Sequence, residues 1–422
     1  MEILELSTIL LTLASIFTLI NIRLLKLPQT IGLMILALCL SIALAIIGLI
    51  FPKVIVTVTE ITREFDFSEL LVNVMLPFLL FAGAMSVNVH ELLKDKVTIL
   101  LLASFGVLFS TFAVGSGVFW LIQQPLLGLT DLGLSYIDCL LFGALIAPTD
   151  PIAVLAMIKK MNLSSITETR IAGESLFNDG IGVVVFLTLI SIQQDGVENI
   201  TAAAVGSLFV TEVLGGIALG SLMGYFGLKL LKYIENEHTE LEVLITISLV
   251  LLLPIICHYF HFSAVLGVVM MGLFLNQNLD IDQKVDGVQK AMGDYVYKFW
   301  HLLDETLNAI LFILIGLEII MIFESFQLPF ITISILVIIL VVVSRGIGVT
   351  IPIAFLSLFK KFEKKTALII TWGGLRGGLS VALALNLPDS IGEGKALILF
   401  LTYVIVLFTI LVQGLTLKNI VK

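Results

Sequence analysis

Thirteen runs of about 17 or more predominantly apolar residues follow one another along the chain, and a helix of that length spans the roughly 30 Å hydrocarbon core of a bilayer. They lie near 4–22, 29–50, 68–89, 97–122, 135–158, 170–193, 203–228, 241–257, 261–276, 299–323, 327–358, 366–387 and 396–417. Of the 422 residues, 59% are hydrophobic and 13% charged. So few charges cannot coat a water-facing surface, which excludes a soluble globular chain. Backbone amides in lipid must be satisfied within their own segment, so the expected form is an all-α, multi-pass membrane protein.

The basic residues sort between alternate loops as the positive-inside rule requires. With the N-terminus outside, the cytoplasmic side receives Arg23, Lys26, Lys94, Lys96, Lys159, Lys160, Arg170, Lys229, Lys232, Lys284, Lys290, Lys298, Lys360, Lys361, Lys364, Lys365, Lys418 and Lys422, eighteen of the 23 Lys and Arg. Outer loops keep Lys53, Arg63 and Lys395, while Arg345 and Arg376 fall inside apolar runs. The expectation is a cell-membrane protein with its N-terminus outside and its C-terminus cytoplasmic. Glu2 and Glu5 precede the first run and no small-residue cleavage site follows it, so that run is expected to be a retained helix. Cys39, Cys139 and Cys257 are odd in number and read as packing thiols.

The sixth run contains Glu174, Ser175, Asn178 and Asp179. At 1.5 Å per residue Asp179 lies roughly 13 to 15 Å from the inner end of such a helix, near mid-membrane. An ionisable group at that depth is costly and points to an ion or proton pathway. Helical spacing puts Ser175 under Asp179 and Glu174 under Asn178, a stripe of acceptors and one hydroxyl suited to a small desolvated cation.

Two runs cannot be continuous helices. In the fifth, Pro148 and Pro151 flank Thr149 and Asp150 and remove two amide donors, so Asp150 reads as the cap of a second half-helix with Pro151 in its first turn. In the twelfth, Gly373, Gly374, Gly377 and Gly378 surround Leu375 and Arg376. The two interruptions are seven runs apart, so the segments cross the membrane in opposite directions, as in an inverted repeat. If the breaks cross, Asp150 and Arg376 compensate the partial charges of the broken ends.

These residues carry a resemblance. Pro148-Thr149-Asp150-Pro151, Gly173-Glu174-Ser175-Leu176-Phe177-Asn178-Asp179-Gly180, Ser344-Arg345-Gly346 and Gly373-Gly374-Leu375-Arg376-Gly377-Gly378 occur in that order. Together they resemble the membrane domain of the monovalent cation/proton antiporters, in the NhaP and NHE branch that has an Asn-Asp pair. The resemblance runs from the third segment to the thirteenth, without the long cytoplasmic tail of animal exchangers. It implies thirteen helices in an inverted-repeat antiporter fold, with segments 5 and 12 broken and crossed. A core bundle, approximately 97–193 and 327–417, would move against a dimerisation part, approximately 1–89 and 203–323. It also implies that Asp179 binds cation and proton alternately, with Ser175, Thr149 and Asp150 assisting. Asn178 fills the slot of a second Asp in electrogenic relatives, and Glu174 is expected to pair with Arg345. One departure is Ala82, near a position that is acidic in many relatives.

The expected activity is therefore electroneutral exchange of Na+ or Li+ for H+ by alternating access, with K+ as the alternative cation. No enzyme activity, cofactor or nucleic acid is expected; the partners are the transported ions, the bilayer and a second copy of the chain. A cation channel is the rival of another class, but channels present rings of carbonyls or charges. A membrane enzyme would need an acid, base or metal cluster, and His258 with His261 lacks a third ligand. Asp280, Asp282 and Asp286 do not make a calcium loop, because Lys284 replaces a ligand and Val285 stands where the turn needs Gly. Trp120, Trp300 and Trp372 read as interface anchors near segment ends. Gly215, Gly220 and Gly224 read as a close helix contact, in a linker or at a dimer surface.

Overall fold

The computed structural model describes residues 3–51, 70–158, 164–195, 202–234, 238–278, 289–324 and 328–421. Lys53, Arg63, Lys159, Lys160, Lys284, Lys422 and the Asp280–Asp286 stretch lie outside them. Each of the thirteen runs contains helix among its described residues. Among the described residues nine helices are long and apolar enough to cross a membrane, Leu71–Ser86 and Ala264–Gln277 are shorter apolar helices, and the fifth and twelfth runs are broken. The one extended pairing among them is an isolated antiparallel bridge between Asp150 and Leu375.

The chain packs as two compact units. The first comprises Met1–Leu70, Phe109–Leu163 and Leu307–Lys422. It holds α1 (Ile3–Ile20), α2 (Gln29–Ile50), the C-terminal part of α5 (Lys96–Ile122), α6 (Tyr136–Ile146) and α7 (Ile152–Ile158). It ends with the last part of α12 (Gln289–Glu324), then α13 (Leu328–Leu356), α14 (Thr366–Trp372), α15 (Gly378–Leu385), α16 (Gly394–Phe408) and α17 (Gly414–Val421). A Ser-x-x-Asp capping box starts α6: the Asp138 N–H donates to Ser135 Oγ at 3.2 Å, and the Ser135 N–H donates back to Asp138 Oδ2 at 2.9 Å. From there to Ala147 every residue after Ile137 is buried, which makes α6 a core helix of this unit.

The second unit comprises Leu71–Leu108 and Ser164–Thr306. Its helices are α3 (Leu76–Ser86), α4 (Val89–Lys94), the start of α5, α8 (Ser165–Asp195), α9 (Ala202–Tyr233), α10 (Thr239–Phe260), α11 (Ala264–Asn278) and the first part of α12. The short α11 is its centre, with Leu266, Val268, Val269, Met271 and Leu275 buried, and it packs on α3, α8, α9 and α10. Asn276 of α11 donates to the carbonyls of Ala84 and Val87 at 3.0 and 2.8 Å, closing the C-terminal end of α3. Gly215, Gly220 and Gly224 of α9 face α11 and the turn before it. A Cβ on Gly220 would collide with the backbone of Gly267, and Gly215 and Gly224 make room for Phe262 and Phe274. This stripe serves contact within the unit.

Trp300 corrects the interface-anchor expectation. It is fully buried, its Nε1 donates to Thr246 Oγ1 at 3.0 Å, and its ring centre lies 4.5 Å from that of Phe81. The reason is that α12 begins at Gln289, ten residues before the apolar run, so Trp300 sits inside the helix and not at its end. Trp120, in contrast, is exposed, and Trp372 is half-buried with Nε1 donating to Thr416.

The α9–α11 contact predicts opposite outcomes for one substitution at two places. Alanine is favoured over glycine inside a helix by roughly 0.8–1 kcal/mol. Gly206 has open space around it, so Gly206→Ala should keep or raise the thermal unfolding midpoint of the detergent-solubilised protein. Gly220→Ala should lower it, and equal midpoints for the two variants would refute the close contact.

Candidate functional site

The polar residues singled out in the sequence are divided between the two units. In the first unit, α6 stops at Ile146 and α7 starts at Ile152, because the prolines between them cannot hold a helical hydrogen-bond ladder. Similarly α14 stops at Trp372 and α15 starts at Gly378. The interruptions cross, with the Asp150 N–H donating to the Leu375 carbonyl at 2.7 Å. Asp150 also caps α7, its Oδ1 accepting from the Ile152 N–H at 2.9 Å, as the proline spacing predicts.

Arg376 answers the carbonyl end of α6. It is 1% exposed, and its Nη1 donates to the Ala147 and Pro148 carbonyls at 2.7 and 2.9 Å. A guanidinium placed there satisfies orphan carbonyls and opposes the negative end of the helix dipole. The Arg376 N–H is itself taken by Thr409 Oγ1 at 3.0 Å, at the start of the π-helical turn Thr409–Gln413. Glycine permits this crowding: a Cβ on Gly377 would lie 2.6 Å from Cβ and Oδ2 of Asp150. On Gly374 it would lie 2.7 Å from Nε of Arg345 and 3.3 Å from Cγ2 of Thr149. Thr149, Asp150, Arg345 and Arg376 are thus gathered around one crossing.

In the second unit, α8 runs unbroken through Glu174, Ser175, Asn178 and Asp179. Glu174, Ser175 and Asn178 are buried, whereas Asp179 is half-buried. Asn178 Nδ2 donates to Glu174 Oε1 at 3.0 Å, the neighbour relation expected from helical spacing. Glu174 therefore has at least one partner on its own helix; Arg345, its expected partner, is on α13 in the first unit. Ala82 is buried on α3.

The sequence reading missed a second buried charge cluster. Arg170, counted there among loop cations, is buried in the second turn of α8, where its Nε donates to Asp95 Oδ2. Thr98 Oγ1 donates to the other oxygen of Asp95 at 2.6 Å. The four-residue spacing of Arg170 from Glu174, one helical turn, was the available signal that Arg170 lies on the same helix. Among the described residues no group of three His, Cys, Asp or Glu is placed to hold a metal ion.

Comparison with known proteins places the chain as a whole. The family model described as "Sodium/hydrogen exchanger, transmembrane" matches residues 10–422. The Na+/H+ antiporter NhaP of Pseudomonas aeruginosa is 40% identical over 99% of this chain and 96% of its own. The Na+/H+ antiporter NhaH of Halobacillus dabanensis is 33% identical over 90% and 91%. Among solved structures, the sodium proton antiporter MjNhaP1 of Methanocaldococcus jannaschii at pH 8 has the same fold, with a TM-score of 0.75 at 20% identity over 99% of this chain and 97% of that one.

The crossing predicts the behaviour of Arg376 variants. Arg376→Ala leaves the Ala147 and Pro148 carbonyls short of a donor, at a cost of roughly 1–3 kcal/mol for each buried group left unsatisfied. The thermal midpoint should fall clearly, with Arg376→Lys intermediate. An alanine variant as stable as the wild type would contradict the role given to the guanidinium.

Proposed function

The chain belongs to the sodium/hydrogen exchanger family, and from that premise we propose that Asp179 takes up Na+ and H+ in turn. The protein is a multi-pass membrane protein and a secondary transporter that exchanges Na+ for H+, not an enzyme. The observation that carries the proposal is the uneven burial of the α8 stripe. Its neighbours Glu174, Ser175 and Asn178 are buried and Asn178 is engaged with Glu174, while Asp179 stays half-buried. A carboxylate that exchanges ions needs such access, and a purely structural acid does not.

The cycle follows from charge. Deprotonated Asp179 attracts a desolvated Na+, with Ser175 supplying an oxygen; protonated Asp179 has no charge with which to hold it. One carboxylate cannot carry both ions, so occupancy by one excludes the other. The Asn178 amide is neutral, so the site changes by one charge whichever ion is bound. Each turn then moves one Na+ against one H+, and the exchange is electroneutral.

Thr149 and Asp150 belong to this reading as further oxygen donors, Glu174 and Arg345 as charges that stay buried and compensated, and Arg376 as the charge of the helix break. The functional division into a core bundle, 97–193 with 327–417, and a dimerisation part is likewise proposed, as are the homodimer, the cell membrane as location and the cytoplasmic C-terminus. The last rests on the distribution of Lys and Arg. Arg170 is buried in α8 and is left out of that count, which the other seventeen Lys and Arg still carry.

Asp179→Asn keeps the shape and removes the titratable charge. Na+-dependent H+ flux in everted vesicles should fall to background at normal protein level, and flux near the wild-type rate would sink the assignment. In the wild type, the half-saturating Na+ concentration should rise as pH falls, by up to about tenfold per unit once the carboxyl is mostly protonated. Running the assay with Li+ and K+ in place of Na+ fixes the cation range.

A further inference from the structure

We infer that Arg170 is a positioning residue for the ion site, acting through Asp95 to fix the rotation of α8. Asp95 stands at the junction of α4 and α5, where its N–H donates to the Glu91 and Leu92 carbonyls at 3.2 and 3.1 Å and its carbonyl accepts from Ile99 at 3.1 Å. Its carboxylate takes Thr98 on one oxygen and Arg170 on the other. One aspartate thereby closes α4, caps α5 and grips α8. Both charged side chains are nearly inaccessible, at 3% and 2% exposure, so neither is a solvated surface charge.

The packing one turn further along α8 makes the grip directional. A Cβ on Gly173 would lie 3.1 and 3.2 Å from two carbons of Ile99 and 3.5 Å from Leu92, so the α4–α5 corner rests directly on the α8 backbone beside Arg170. Gly83 of α3 lies against Leu176, and Gly180 against Leu266 of α11. With about 100° per residue, Asp179, nine positions after Arg170, points about 180° away from it. The ion pair therefore holds the side of α8 opposite to the carboxylate. A side-chain tip lies about 5 Å from a helix axis, so a rotation of about 10° displaces it by about 1 Å. Displacements of that size at a site change rates by factors of ten to a hundred.

Breaking a buried pair also strands one charge, so yield alone does not distinguish positioning from ordinary stability. The readouts are the half-saturating Na+ concentration and the pH profile of exchange, measured on folded, purified protein in proteoliposomes. Arg170→Gln should raise the former by about tenfold and move the profile, while Arg170→Lys should fall between it and wild type. Asp95→Glu keeps the charge and changes the reach, so it should raise half-saturating Na+ at least about threefold. It decides the matter if Arg170→Gln does not fold. Wild-type half-saturation and pH profile in folded Arg170→Gln, or in Asp95→Glu, overturn the inference. It rests on Asp179 being the ion site: transport by Asp179→Asn would refute that reading, whereas inactive Asp179→Asn beside unshifted Arg170 variants refutes only this one.

Discussion

A polar backbone group in hydrocarbon has no water to turn to, and the first unit is organised around that constraint. Breaking α6–α7 and α14–α15 frees amides and carbonyls at a depth where each orphan costs several kcal/mol. The breaks answer one another. Asp150 gives its N–H to Leu375 and its carboxylate to Ile152, while Arg376 covers the carbonyls of Ala147 and Pro148. Thr409 accepts the Arg376 N–H from a third helix, and the π-helical turn that begins at Thr409 lies in the same helix. The glycines at 374 and 377 are there because side chains would occupy the space that Arg345 and Asp150 fill.

The second unit solves a different problem, how to hold acids in the membrane on a helix that is not broken. Two of its buried acids are paired by side chains: Glu174 by Asn178, and Asp95 by Arg170 and Thr98. Asp179 differs from these buried acids in being half-buried, which fits a carboxylate that the two ions reach in turn. An exchange cycle built on it needs no energy source beyond the two ion gradients.

Much of this was legible in the chain itself, and the limits have physical causes. Proline and glycine act locally, so the two breaks and the cap at Asp150 could be read from spacing alone. The ladder from Glu174 to Asn178 followed from helical periodicity. What spacing cannot supply is the partner across space: nothing near Asp150 names Leu375, and nothing near Arg376 names Ala147. Apolar runs also understate helices. Because α8 starts at Ser165 and α12 at Gln289, Arg170 and Trp300 lie inside helices, although hydropathy placed them at segment ends. The α9 glycines were legible as a contact surface, but their partner, α11, was the least distinct of the runs.

The central claim is that one carboxylate trades one Na+ for one H+, with Asn178 contributing no charge. A second titrating acid would release two protons for each cation, and the cycle would then respond to voltage at about 2.3 kcal/mol per charge per 100 mV. The direct measurement is Na+/H+ exchange by the native protein in proteoliposomes under an imposed potassium-diffusion potential, with Na+ as the transported cation. The account predicts equal initial rates with and without a negative-inside potential. A potential that markedly accelerates or reverses exchange would contradict it and would mean that Glu174 or Asp150 titrates as well.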